Sequence, residues 1–84
     1  MNTAEFAAAL LDRHRADMDA AAWEMANDAL KAGEYEVAAI SLIEGGPVSL
    51  AEIDELERLS VHFDWVDRPI AERVIAKRRE QLAG

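Results

Sequence analysis

Eighty-four residues with 17 acidic and 9 basic side chains, a net charge of −8, 51% hydrophobic residues and no cysteine exclude several classes of protein at once. A chain of this length makes one domain and buries only about 60–65% of the surface its unfolded form exposes, which leaves little room for a deep catalytic cleft. Without cysteine there is no disulfide framework, no thiolate chemistry and no ordinary structural zinc site, and the negative charge opposes nucleic acid and anionic membranes while attracting basic proteins.

The first five residues, Met1 to Glu5, lack the positive charge of a secretory leader, and the apolar run Phe6 to Leu11 is too short for a leader core or a membrane span. A cytoplasmic location is expected. The first helix starts after Asn2 or Thr3, with Phe6, Leu10 and His14 on one stripe, and its period breaks near Ala16. A second helix opens at Asp17 or Asp19 and repeats Ala22, Trp23, Ala26, Ala29 and Leu30 at spacings of three and four, which assigns Trp23 to the core. Gly33 stops it. A third helix follows from Glu34 or Tyr35 to Glu44, and its stretch Val37 to Ile43 is apolar on nearly every side, so it is expected at the centre.

Gly45-Gly46-Pro47 is the clearest break in the chain. Ser49 and Glu52 then form the S-x-x-E capping box of a fourth helix, with Val48 and Ile53 spaced as a hydrophobic staple. Leu50, Ile53, Leu56, Leu59, Ser60 and Phe63 are read as its inner face, and Glu52, Asp54, Glu55, Glu57 and Arg58 as its outer one. Asp67 is read as the cap of a fifth helix, with Pro69 in its first turn and Ile70, Ala71, Val74, Ile75 and Leu82 facing inward. No segment alternates with period two. The expected architecture is all-α, a single domain over residues 1–84 made of about five short helices.

Charge divides unevenly along this layout. Residues 67–84 hold five basic and three acidic side chains, so the last helix carries +2 and residues 1–66 carry −10. The basic helix lacks the aromatics that would stack on bases, and its cations suit a helix C-terminus. Glu52 and Glu55 stand at i, i+3 on one solvated helix without a second ligand-bearing helix, so no metal, cofactor or catalytic residue is assigned. His14 and His62 lie near helix ends and are read as dipole-complementing or half-buried residues rather than general bases. Gly46 to Leu50, followed by Glu52 and Glu55, resembles the prosthetic-group attachment helix of acyl carrier proteins. Carriers place Asp directly before the modified serine, where this chain has Val48, and helix capping accounts for Ser49. Trp65, in the acidic connector Phe63 to Asp67, either anchors an interface or plugs the end of the bundle.

The run Ala26 to Ala38 with Gly33-Glu34-Tyr35, then Leu42-Ile43-Glu44, then Val48 to Glu52 and the helix through Phe63, resembles the MafI-type immunity proteins of bacterial polymorphic toxin and contact-dependent growth inhibition systems. The similarity spans about residues 20 to 75; where many relatives carry a long acidic loop before the capped helix, this chain has only Gly45-Gly46-Pro47. The resemblance implies a non-enzymatic inhibitor that binds a cognate toxin domain, encoded by the adjacent gene, in a 1:1 complex. Charge density and expected exposure then nominate Glu34, Glu36, Glu52, Asp54, Glu55, Asp64 and Trp65 as its binding surface. A generic helical adaptor, or a carrier modified at Ser49, is the alternative.

Overall fold

In a computed structural model describing residues 1–84, five helices follow one another without a strand: α1 (Thr3–His14), α2 (Ala20–Lys31), α3 (Tyr35–Gly45), α4 (Leu50–Ser60) and α5 (Asp67–Ala83). Local chemistry sets most of their ends. Asn2 and Glu5 cap α1 reciprocally, the Asn2 side chain accepting from the Glu5 amide at 2.8 Å and Glu5 from the Asn2 amide at 2.9 Å. Asp19 caps α2 through the Ala22 amide. At its other end the Gly33 amide donates to the Leu30 carbonyl and the Glu34 amide to the Ala29 carbonyl, a Schellman closure in which Gly33 takes φ +81°.

The mostly apolar α3 is the centre. Ala38, Ala39, Ile40, Leu42 and Ile43 are buried, and the helix packs against all four others. Around it gather Phe6, Ala7, Leu10 and Leu11 of α1, Ile53, Leu56 and Leu59 of α4, and Ala71, Val74 and Ile75 of α5. Gly46 passes so close to α3 that a Cβ there would lie 2.7 Å from the Leu42 carbonyl oxygen. No helix is long and apolar enough to cross a membrane.

The helices alternate in direction. The N-terminal turns of α1, α3 and α5 border one groove at one end of the bundle, and at the other end α1 meets the start of α4 and Arg78 of α5 donates to the Gly46 carbonyl.

Five expectations need correction. Leu50 is 55% exposed because it shares a stripe with Asp54, Glu57 and Val61 rather than with Ile53 and Leu56. Ile70 and Leu82 are also exposed: Ile70 shares its face with Arg73 and Lys77, and beyond Ile75 no residue of α5 is buried. Trp23 sits at the rim of the core, half-buried, its indole N–H donating to the Leu11 carbonyl at 2.8 Å and the Arg15 guanidinium lying 4.7 Å from its ring. Asp67 does not cap α5: it is the first residue of the helix, Val66 stands at the N-cap position, and it is one Asp64 carboxylate oxygen, in the turn just ahead, that accepts from the Val66 and Asp67 amides at 2.9 and 2.8 Å. Finally, Glu52 is buried.

Candidate functional site

Two groups emerge from the seven nominated residues. Those on α4 are taken up by the fold. Glu52, at the third position of its helix, reaches back to the Ser49 amide with one oxygen at 2.8 Å and presents the other to Arg13 at 2.5 Å and His14 at 2.9 Å. An ionised carboxylate only accepts, so His14 Nε2 carries the proton in this bond. Burial pushes the Glu52 carboxyl up, but the hydrogen bonds from Ser49, His14 and Arg13 outweigh it and hold the group below the ordinary glutamate value. Glu55 takes two bonds from Arg58 at 2.6 and 2.7 Å. Asp54 and Glu57 share Arg79 of α5 through bonds of 2.7 to 3.0 Å.

Glu34, Glu36 and Asp64 come together elsewhere. An open groove of about 640 Å³ is bordered by Asn2 to Ala4, Gly33 to Val37, Asp64 and Asp67, with no lysine, arginine or histidine on its walls. Its acids stand there for a local reason. The Gly33 turn puts Glu34 and Glu36 at the start of α3, while Asp64 and Asp67 open α5, so the positive ends of helices offset part of their mutual repulsion. Glu36 also accepts from the Asp64 amide at 3.2 Å. Trp65, the residue after Asp64, is 86% exposed, and Tyr35 between the two glutamates is 45% exposed.

One oxygen from each of Glu36, Asp64 and Asp67 lies within 4.8 Å of the others. Three carboxylates fall short of the roughly six to eight oxygens that calcium takes, although the set is suited to a cationic group brought by a partner. Burial, opposed by the Asp64 amide and reinforced by the Asp67 and Asp64 carboxylates, raises the Glu36 carboxyl above its ordinary range. Ionising Glu36 therefore costs folding stability, a cost absent below the usual glutamate value and complete once the pH has passed the raised one. Glu36→Gln, which keeps an oxygen to accept from Asp64, is expected to raise Tm at pH 7 by about 1–3 °C, as relief of one like-charge contact would. The gain should vanish in thermal melts below about pH 4.

Asp67 and Tyr35 are site residues that the linear reading passed over. Counting helices is the signal that finds them: in a bundle of alternating direction the first, third and fifth helices all start at the same end, which brings the residues after Gly33 beside those after Phe63. No protein-family profile, curated protein or solved structure matches the chain.

Proposed function

We propose that the protein is an immunity-type inhibitor, acting stoichiometrically in the cytoplasm, that neutralises a cognate bacterial toxin domain by binding it through the groove end of the bundle. The observation that carries this reading is the contrast between the two acidic groups. On α4 Glu52, Asp54, Glu55 and Glu57 all have an internal cationic partner, whereas Glu34, Glu36, Asp64 and Asp67 border a groove that contains none and lie next to an exposed tryptophan. Unmatched charge around an aromatic anchor is the composition of a binding face for a basic protein surface. A toxin with a cationic groove, such as a nuclease, has the complementary charge.

The test is titration against the product of the adjacent gene. A 1:1 complex is expected, whose association rate falls about tenfold in Glu34→Lys/Glu36→Lys and falls as well in the wild type when salt is raised. Asp54→Asn, which alters an internally paired acid, should leave that rate unchanged. Absence of a complex with the neighbouring gene product, or a constitutive partner unrelated to any toxin, would replace the immunity reading with that of an adaptor subunit.

A further inference from the structure

Resting on the reading that this end of the bundle meets a protein, the inference concerns which side chain enters it. The exposed surface there is aromatic and apolar as well as acidic: Trp65 is 86%, Val66 51% and Tyr35 45% exposed. Charge complementarity demands a cation, and the rest of the molecule shows which cation such surroundings receive. On α4, where the chain sets carboxylates close together, arginines close them. Arg79 forks across Asp54 and Glu57 with three hydrogen bonds, and Arg58 holds both oxygens of Glu55. Its other tryptophan, Trp23, has the Arg15 guanidinium over the ring at 4.7 Å. The groove offers close carboxylates and no arginine of its own, and between its residues Asp64 and Asp67 in the chain stands the exposed indole of Trp65.

We infer that the face formed by Tyr35, Trp65 and Val66 docks a partner segment that presents an arginine between apolar side chains, the guanidinium lying against the aromatic rings and forking to Glu36 and Asp67. Arginine is favoured over lysine on physical grounds. A planar guanidinium can make two parallel bonds to carboxylates while keeping a weakly hydrated face for an aromatic ring, whereas an ammonium is a strongly hydrated point charge. Apolar neighbours on the partner segment cover Val66 and the edge of Trp65.

Three blocked pentapeptides test this, with arginine, lysine or citrulline at the centre between leucines, each titrated into the whole protein and followed by amide chemical shifts. The expected result is saturable shifts confined to residues 34–37 and 64–67, with arginine binding about three- to fivefold more tightly than lysine and neutral citrulline not binding. Trp65→Ala and Glu36→Gln should each weaken the arginine peptide while the remaining resonances keep their positions, which shows that the fold is intact. Equal binding of lysine, binding of citrulline, shifts centred on α4, or a free protein that is dimeric with Trp65 buried would each overturn the inference. A groove that binds the arginine peptide in a protein that fails to bind the toxin refutes the immunity reading alone. A toxin complex that tolerates lysine for every interface arginine refutes the inference alone.

Discussion

Replacing Glu52 by alanine lowers the free energy of unfolding by about 2–4 kcal/mol and Tm by about 10–20 °C, the largest loss expected from any single polar residue in this chain. Three losses combine. The Ser49 amide loses half of its reciprocal cap, the buried His14 loses the acceptor for its Nε2 proton, and the link between the end of α1 and the start of α4 disappears. Arg13, whose side chain is 60% exposed, returns to water at little cost. Glu52→Gln separates charge from shape, since glutamine also serves at this position of a capping box, and should recover about half of the deficit. The sign of the pH dependence follows from the depressed Glu52 carboxyl. Its contribution is complete above the ordinary glutamate value of about 4.3 and is lost as the pH falls through the lower folded value, so the gap between wild type and Glu52→Gln in urea melts should narrow as the pH falls below about 4.3 and close only below that depressed value. A difference between them that is independent of pH would show that the carboxylate charge is not what holds α1 to α4.

Trp65→Ala behaves in the opposite way. The side chain is almost wholly in solvent, so stability changes by less than about 0.5 kcal/mol. If the proposed toxin docks on this face, affinity for it is expected to fall by about 30-fold or more, carried mainly by faster dissociation, because loss of a central aromatic anchor removes about 2 kcal/mol or more from an interface. Glu52→Ala and Trp65→Ala thus form a paired control in calorimetry and surface-binding measurements: one unfolds easily and, while folded, retains the groove, and the other folds normally and binds poorly. Trp65→Ala that binds as well as the wild type would remove the tryptophan from the interface.

What could be read directly from the chain is what short-range chemistry decides. Asn2, Asp19, Gly33, Gly45 to Pro47 and the Ser49–Glu52 box each act within about four residues, and each marks a boundary in the fold. Facing direction is less accessible, because on an 11-residue helix one apolar side chain at the edge of the stripe looks like core. Leu50 is such a case; tertiary packing rotates it towards Asp54 and Glu57. Glu52 shows the reverse limit. Its role as a cap is visible in S-x-x-E, but its burial depends on His14 arriving from 38 residues away. In the same way Asp64 and Asp67 both fit the start of a helix by composition, and only the turn after Phe63 decides that Asp64 accepts the two amides.

The groove combines both limits. Glu34, Glu36, Asp64 and Trp65 are picked out by charge density and by an exposed aromatic, while the exclusion of Glu52, Asp54 and Glu55 depends on pairs made with α1, with α5 and within α4. A count of acidic residues cannot distinguish a matched carboxylate from an unmatched one, whereas the positions of Arg13, Arg58 and Arg79 in the fold can.

The alternating course of the helices bears on how the molecule is handled at a bench. Asn2, Thr3 and Ala4 border the groove, so a purification handle or fluorescent protein joined before Met1 would be attached within a few residues of its mouth, on the side where Arg58 donates to the Met1 carbonyl. The 17 residues of α5 carry the chain about 25 Å away from that mouth before Gly84. Handles, surface tethers and fused reporters therefore belong after residue 84.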